Sequence, residues 1–258
     1  MLQITVNGQS CTAAEGTTLL EAVRQAGVEL PTLCHHEGLA PYGACRLCMV
    51  AIHQPRKALV AACAYPVEEG LVVETGAPEA VAARRLAAEF LLSRCPQAKA
   101  IREIAAREGV TETRFGTPTP EQAAELCMLC GLCVRVCREA IGAAAISFVG
   151  RGMGRKVDTP FAGPSEACIG CGACAEVCPT GAIQIEDRGH LRLLHTWHTT
   201  VELQACPACG RFFAPRPTAF LREMLPETAN LWALCPECRA RRTAQQWAEQ
   251  MSDRPAAL

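Results

Sequence analysis

Aromatic residues, net charge and long apolar runs are all scarce in this sequence. Phenylalanine, tryptophan and tyrosine together make up 5% of the 258 residues, so a large core built on aromatic rings is not expected. The formal net charge of −1 gives no reason to expect nucleic acid or an anionic membrane as the main partner. Uncharged stretches such as residues 58–67 and 140–150 are shorter than the roughly 20 apolar residues that a membrane-spanning helix needs. We therefore expect no transmembrane segment.

Targeting, nucleotide-binding and catalytic motifs are missing as well. Residues 1–10 lack the basic start and apolar run of a secretory signal. The sequence therefore favours a cytoplasmic location, although a folded cofactor protein can cross a membrane on a partner's signal. The glycines at positions 150, 152 and 154 have the wrong spacing for a dinucleotide-binding G-x-G-x-x-G, and there is no Walker motif. No Ser/His/Asp set follows from the spacing, so we expect neither a nucleotide or flavin site nor a catalytic residue.

Cysteine, by contrast, is abundant, with 18 in the chain. Most of these cysteines fall in tight C-x2-C clusters separated by long stretches without cysteine, and no secretion signal precedes them. Both features argue against a disulfide framework. Neighbouring thiolates at this spacing converge on metals, so the sequence predicts a protein organised around metal centres.

The most specific pattern is an internal repeat of C-x2-C-x2-C-x3-C, at residues 127–137 and again at residues 168–178. This spacing is typical of a protein that binds two [4Fe-4S] cubes. Three cysteines of each run bind one cube, and the fourth cysteine binds the other cube. Plain core cysteines or zinc ligands are the alternatives. The pattern predicts one cube on Cys127, Cys130, Cys133 and Cys178, and a second on Cys137, Cys168, Cys171 and Cys174.

The repeat resembles bacterial two-cluster ferredoxins over about residues 120–188. Gly131 and Gly172 are expected to let the loop backbone approach the inorganic sulfides. The second run is followed by the usual Pro179, whereas Cys137 is followed by Arg138. A positive charge at that position is expected to raise the reduction potential of the nearby cube.

A second cysteine group precedes the repeat with the spacing C-x10-C-x2-C-x14-C. Four thiolates on loops over a small sheet suit a [2Fe-2S] cluster, although the spacing differs from that of plant ferredoxins. Zinc is the alternative occupant. The predicted ligands are Cys34, Cys45, Cys48 and Cys63.

Residues 1–76 carry the segments Leu-Pro-Thr-Leu-Cys-His, Gly-Ala-Cys-Arg-Leu-Cys and Ala-Cys-Ala-Tyr-Pro-Val. With these segments the chain resembles the β-grasp [2Fe-2S] domain that opens the large iron–sulfur subunit of respiratory complex I. The same domain opens the diaphorase small subunit of NAD-linked [NiFe] hydrogenases and many [FeFe] hydrogenases. The resemblance implies a flavin- and NAD(P)-binding partner subunit, similar to the NADH-binding subunit of complex I, and a catalytic oxidoreductase partner.

Full-length members of that family carry a further cluster, ligated by one histidine and three cysteines, between these two regions. Here the corresponding window holds only Cys95, and no histidine lies between His53 and His190, so that cluster is not expected. Cys95 and Cys11 are expected to pack as small apolar residues. His35 is expected to be an ordinary loop residue, as is its neighbour His36.

The last four cysteines have the spacing C-x2-C-x25-C-x2-C, which is typical of a closed tetrahedral site with four thiolate ligands. Zinc is the predicted ion. Rubredoxin-type iron is the alternative, because spacing does not separate tetrahedral iron from zinc. The predicted ligands are Cys206, Cys209, Cys235 and Cys238.

The predicted fold class is α+β, with four parts in sequence. They are a β-grasp [2Fe-2S] domain at residues 1–76, a helical connector at 77–118, a two-[4Fe-4S] ferredoxin domain at 119–188 and a zinc-ribbon-like tail at 189–258. Local patterns predict a hairpin turn at Asn7-Gly8, a capping box from Thr18 to Glu21, helices over 78–108 broken near Pro96, a helix starting at 119–122 and a strand over 191–203.

These features together predict an electron-transfer subunit without catalytic residues of its own. Clusters carry single electrons while NAD(P)H delivers a hydride, so a flavin elsewhere must split the pair. The catalytic partner would be a hydrogenase, a formate dehydrogenase or a similar enzyme. One alternative is an iron–sulfur redox sensor, which would need one cluster rather than three. The other is a freestanding ferredoxin, which is disfavoured because the connector and the zinc knuckle add surface that only docking to a partner would explain.

Overall fold

The computed structural model describes residues 1–116, 119, 124–215 and 233–252. The chain divides into two compact units. The first contains Met1–Gly142, Ser147–Val157 and Ala173–Ile183, and the second contains Ala143–Ile146, Asp158–Gly172 and Gln184–Leu258. In the described part of the chain, no helix combines the length and the hydropathy needed to cross a membrane.

The first unit is built on a five-stranded mixed sheet. Its strands are β1 (Leu2–Val6), β2 (Gln9–Ala13), β3 (Met49–Gln54), β4 (Ala58–Ala61) and β5 (Val72–Glu74), in the order β2-β1-β5-β3-β4. The β1–β5 pair is parallel and the other pairs are antiparallel. Asn7 and Gly8 join β1 to β2 with φ values of 50° and 82°. Both central residues of the turn are therefore left-handed, as the Asn-Gly pair predicts.

Helix α1 (Leu19–Gln25) packs its apolar face into the core of this sheet. It begins with the predicted capping box: the Glu21 N–H donates to Thr18 Oγ1 at 3.4 Å, and the Thr18 N–H donates to Glu21 Oε2 at 2.8 Å. Leu19, Leu20 and Val23 are fully buried. The capping box thus fixes where the helix begins, and the apolar spacing fixes which face is buried.

Two connector helices follow, α2 (Pro78–Arg94) and α3 (Lys99–Arg107), with the predicted break at Pro96 between them. Arg84 joins α2 to the sheet, because its buried guanidinium donates to the carbonyl oxygens of Met49 and Thr75 at 3.0 and 2.8 Å. Its Nε forms an ion pair with Glu108 at 3.0 Å, just after α3. The connector is therefore attached to the first sheet by a charged side chain as well as by apolar packing.

The repeat region contains only short elements. They are α4 (Leu132–Arg135), which continues as a π-helical turn over Val136–Ala140, the two-stranded sheet of β6 (Ser147–Val149) and β7 (Lys156–Asp158), and α5 (Ala173–Glu176). Of the helix predicted to start at 119–122, residues 120–122 lie outside the described residues. Cysteine loops rather than long helices or strands therefore dominate this region.

The second unit carries a four-stranded antiparallel sheet of β8 (Ile185–Arg188), β9 (Leu191–Leu194), β10 (Thr199–Ala205) and β11 (Phe212–Pro215), with helix α6 at Pro236–Ser252. The single strand predicted over 191–203 is wrong. A 3-10 turn at His195–Trp197 and a left-handed His198 (φ 49°) split it into β9 and β10. Trp197 lies in this turn and is buried. Its position therefore fitted the apolar alternation of a strand although the residue belongs to no strand. The expected boundary between residues 188 and 189 falls in the turn joining β8 and β9.

Candidate metal centres

The first cysteine set lies at the edge of the five-stranded sheet, and all four residues are buried. Cys34 and Cys45 are on the loop between α1 and β3, Cys48 directly precedes β3, and Cys63 lies in the turn after β4. The Sγ atoms of Cys34 and Cys45 are 3.4 Å apart, and the Cys45 N–H donates to Cys34 Sγ at 3.3 Å. The fold therefore gathers all four predicted [2Fe-2S] ligands around one buried site.

The four thiols in this set perturb one another strongly. Hydrogen bonds from Cys45 and Cys63 lower the pKa of Cys34 to about 2. A hydrogen bond from Cys63 lowers the pKa of Cys48 to about 7, while the same contacts raise the pKa values of Cys45 and Cys63. Buried sulfurs that share protons this closely are suited to bind soft, positively charged iron in place of those protons. The donor set therefore fits a [2Fe-2S] cluster.

The second set consists of Cys127, Cys130, Cys133 and Cys178, all within the first unit. Burial raises the pKa values of the first three thiols, that of Cys130 to about 11. The negative charge of Cys178 raises each of the three further. The structure therefore brings the fourth cysteine of the second run beside the first three cysteines of the first run. This donor set fits a [4Fe-4S] cube.

The loop of this second set is tightly packed. Gly131 has a φ of 75°, and a Cβ added there would lie 3.2 Å from Phe148 and 3.3 Å from Tyr42. Arg94 Nε donates to the Cys127 carbonyl oxygen at 2.9 Å. Glycine is required at position 131 both for its left-handed backbone and for the space that its neighbours leave.

The third set, Cys137, Cys168, Cys171 and Cys174, is distributed differently. Cys137 and Cys174 belong to the first unit, whereas Cys168 and Cys171 belong to the second. Cys174 is buried and Cys171 is exposed. Around the second-unit pair, a side chain at Gly170 would collide with Val201, and Arg192 Nη1 donates to the Gly170 carbonyl oxygen at 3.0 Å. The shared cube on these four cysteines stays a prediction.

The fourth set is in the second unit. The sulfur atoms of Cys206, Cys209, Cys235 and Cys238 all lie within 4.8 Å of one another. The Cys235 N–H donates to Cys206 Sγ at 3.4 Å, and this bond, together with backbone hydrogen bonds from Ala208 and Cys209, lowers the pKa of Cys206 to about 6. Arg211 and Glu237 link the two knuckles by an ion pair at 3.0 Å. Four thiolates around one zinc ion at 2.3 Å stand about 3.8 Å apart, so this set fits a single tetrahedral ion.

The two remaining cysteines and the two loop histidines belong to none of the four cysteine sets. Cys95 is fully buried, and burial raises its pKa to about 12, while Cys11 is half-buried against the sheet core. His36 Nδ1 accepts from the Gly38 N–H at 3.1 Å, and His35 Nε2 is buried without a hydrogen-bond partner among the described residues. None of the eighteen cysteines, each within the described residues, forms a disulfide.

Three arginines that hold the cysteine loops were missed by reasoning from sequence. Arg94 and Arg192 each donate to a loop carbonyl oxygen, and Arg135 donates to the carbonyl oxygen of Cys34 at 2.9 Å. Arg135 lies between Cys133 and Cys137, in the C-x3-C segment of the first run. This position is the sequence feature that could have indicated its role. The other two come from distant elements, so only the fold reveals them.

Two families of iron–sulfur domains match the chain. Residues 1–78 match the 2Fe-2S iron-sulfur cluster binding domain, and residues 165–184 match the 4Fe-4S binding domain. The first match covers the sheet and the first cysteine set, and the second covers the second copy of the repeat. The mixed helix and sheet fold with one domain of each kind is therefore confirmed.

The curated relatives include respiratory and hydrogenase subunits. The chain is 31% identical over 232 residues to the G 2 subunit of NADH-quinone oxidoreductase from Rhizobium meliloti, a match covering 81% of this chain and 27% of that protein. It is 30% identical over 210 residues to NADP-reducing hydrogenase subunit HndD of Solidesulfovibrio fructosivorans, covering 71% and 36%. The chain thus spans about a quarter to a third of the length of these relatives.

A solved structure gives the same result. A chain of an NAD+-reducing [NiFe]-hydrogenase in the H2-reduced state superposes with a TM-score of 0.53 at 28% identity, covering 61% of this chain and 74% of that one. The resemblance expected from the cysteine spacing is therefore confirmed: this chain carries a 2Fe-2S and a 4Fe-4S binding domain and is similar to iron–sulfur subunits of NADH-quinone oxidoreductases and NAD(P)-linked hydrogenases.

Proposed function

We propose that this chain relays electrons through one [2Fe-2S] and two [4Fe-4S] clusters inside a multisubunit oxidoreductase. The observation that carries the proposal is the adjacency of successive cysteine sets in the first unit. The charge of Cys34 raises the pKa of Cys130, and the charge of Cys174 raises that of Cys133. Cys45 and Cys130 also line one cavity of about 420 Å³. Neighbouring centres in a series suit conduction, whereas a sensor needs only one.

The ligands we propose follow the cysteine sets described above. The [2Fe-2S] cluster would be held by Cys34, Cys45, Cys48 and Cys63, the first cube by Cys127, Cys130, Cys133 and Cys178, and the second by Cys137, Cys168, Cys171 and Cys174. When bound, each cluster supplies a one-electron carrier. The protein's contribution is to hold the thiolates, exclude water from the buried ones and hold the loop carbonyls through its arginines.

The tail would hold one zinc ion on Cys206, Cys209, Cys235 and Cys238. In the described part of the chain, this is the one group of three or more ligating side chains whose donor atoms all lie within 4.8 Å of one another. A single ion needs that crowding, whereas a multi-iron cluster spreads its ligands further. Because zinc has no redox chemistry, the tail is proposed to stabilise the fold of the second unit.

The domain boundaries and partners are proposals too. We divide the chain into a β-grasp domain at residues 1–76, a connector at 77–118, a two-cube domain at 119–188 and a tail at 189–258. The relatives are named as subunits of NADH-quinone oxidoreductase and NADP-reducing hydrogenase. By this similarity, one partner would bind flavin and NAD(P)H, and another would hold the catalytic site. The proposed location is the cytoplasm.

An anaerobic absorbance titration with NADH and NADPH tests this role. The isolated holoprotein is expected to stay oxidised, and a mixture with the flavin-bearing partner is expected to bleach within turnover time. Cys171→Ser should impair transfer to the terminal acceptor while the nicotinamide still reduces the flavin. Rapid bleaching of the isolated, flavin-free chain would contradict the proposal, because the chain would then have to hold its own hydride acceptor.

A further inference from the structure

The first copy of the repeat contains a buried arginine that no cluster ligation requires. Arg135 ends helix α4, between Cys133 and Cys137, and is 6% exposed. Arginine is rarely buried unless a partner compensates its charge. The groups that surround Arg135 therefore indicate its role.

The guanidinium of Arg135 donates hydrogen bonds to the loop of the first cysteine set. Its Nη2 donates to the Cys34 carbonyl oxygen at 2.9 Å, and its Nη1 donates to the Ala40 carbonyl oxygen. Its guanidinium carbon also lies 5.1 Å from the centroid of the Tyr42 ring. Cys34, Ala40 and Tyr42 all belong to the segment that ends at the second ligand, Cys45. Arg135 therefore joins the loop of one predicted cluster to the helix that carries two ligands of the cubes.

The π-helical turn that continues helix α4 makes a second contact with this loop. The Ala40 N–H donates to Glu139 Oε2 at 3.2 Å. Tyr42 in turn packs against Gly131, since a Cβ added there would stand 3.3 Å from its ring. The loop and the helix thus form one contact with Arg135 at its centre, and the relative position of the two cysteine sets depends on that contact.

The charge of Arg135 lacks the usual compensation. Among the residues that the structure describes, no carboxylate lies within ion-pair distance of Arg135, and its Nε has no hydrogen-bond partner. Carbonyl oxygens and an aromatic face offset part of the charge but carry no net negative charge. The thiolates of Cys34 and Cys133 would be anionic, and each lies in or next to a segment that Arg135 contacts. Glu139 shares the Ala40 contact but forms no ion pair with Arg135, so the iron–thiolate centres would supply the direct negative charge that these contacts lack.

We propose that Arg135 is a positioning residue that fixes the [2Fe-2S] centre against the first [4Fe-4S] centre and raises the reduction potentials of both. This inference rests on the proposed relay. A fixed positive charge in a site that excludes water stabilises the state that holds one more electron, and a charge between two centres acts on both. Both centres then become easier to reduce, and the Arg135 contact holds them in a fixed geometry for electron transfer.

The test is an anaerobic redox titration of the full-length holoprotein, followed by EPR, on three variants. Arg135→Met removes the charge, Arg135→Lys keeps it, and Arg138→Met is the matched control. Arg138 lies three residues further along the same helical segment, but its side chain is 67% exposed and pairs with Glu139 at 3.5 Å. Arg135→Met should shift the reduction equilibria of the [2Fe-2S] signal and one [4Fe-4S] signal toward the oxidised state by about tenfold, or about 59 mV for one electron. Arg135→Lys and Arg138→Met should each stay within about threefold of the wild type, because one retains the charge and the other removes a screened one.

Several results would overturn the inference. They are an unchanged pair of potentials in Arg135→Met, a shift confined to one centre, or an equal shift in Arg138→Met. If Arg135→Met loses its clusters, Arg135→Lys decides: wild-type potentials support the role of the charge, and loss of the clusters there as well refutes it. A wild-type protein that shows neither EPR signal refutes the proposed relay itself, which separates the two failures.

Discussion

The two copies of C-x2-C-x2-C-x3-C share their spacing but not their surroundings. In the first copy Cys130 is buried in an apolar cluster with Leu132, whereas its counterpart Cys171 in the second copy is exposed. The first copy contains Arg135, which has no carboxylate partner in the described part of the chain. The second is contacted by Arg192, whose charge is neutralised by a bidentate pair with Asp187 at 2.7 and 2.8 Å. Spacing thus specifies the ligands, and the surroundings specify accessibility and charge.

This difference predicts different places for the two copies in the proposed relay. A buried set beside the first cysteine group suits an internal electron carrier, and a set with an exposed ligand suits exchange with a partner protein. The local charges predict that the first cube has the higher reduction potential. The comparison can be tested with matched substitutions in the two copies.

The largest expected effect comes from Cys130→Ser compared with Cys171→Ser. Each variant should lose one cube, about four irons per chain. Cys130→Ser should also lower the thermal unfolding midpoint by several degrees more than Cys171→Ser, because a serine hydroxyl in the buried position loses its water contacts, at about 1–3 kcal/mol. Iron analysis and thermal unfolding measure both effects. Equal losses of thermal stability would contradict the assigned difference in burial.

The loop glycines give a second matched pair. Gly131→Ala and Gly172→Ala both place alanine in a left-handed backbone, at φ values of 75° and 82°, which costs roughly 1–2 kcal/mol. Alanine at 131 would also crowd Phe148 and Tyr42, whereas the nearest atom to a Cβ at 172 is 3.8 Å away. Overpacking costs about 1–3 kcal/mol more. Chemical denaturation should therefore rank Gly131→Ala as the more destabilising change, and the reverse order would be inconsistent with the packing described.

The smallest expected effect comes from the neutralised arginine. Asp187→Asn frees the charge of Arg192, which acts on Cys171, and should raise the potential of the second cube. The shift should stay below about threefold in the reduction equilibrium, because Asp187 is partly exposed and solvent screens the pair. Glu186→Gln is the control, since Glu186 pairs with Arg188 and His195 instead. EPR titration of both variants measures the shift, and a fall in potential for Asp187→Asn would contradict the predicted direction.

Local features of the fold were predictable because they depend on neighbouring residues. The Asn7-Gly8 turn, the Thr18–Glu21 capping box and the helix break at Pro96 follow from backbone preferences that act over a few positions. The tail was mispredicted because alternating apolar residues fit one long strand as well as two strands around a turn. Trp197 fitted that alternation from inside the turn.

The cysteine sets were predictable for a different reason, since ligand spacing is itself a local property. What spacing does not contain is the approach of distant groups to each loop. The sequence pointed to Arg138 as the charge that would tune a cube, yet that side chain is exposed and paired with Glu139. Arg135, three residues earlier, is the buried one. Which of two arginines on one short helical segment faces inward depends on the loop that packs against it.

The central claim is that one chain carries three clusters and one structural ion, and metal analysis tests it most directly. The account predicts about ten irons per chain, two from the [2Fe-2S] cluster and eight from the two cubes, together with about one zinc. About eleven irons without zinc would assign the tail to rubredoxin-type iron and leave the relay intact. Six irons or fewer in anaerobic, fully reconstituted protein would contradict the three-cluster relay.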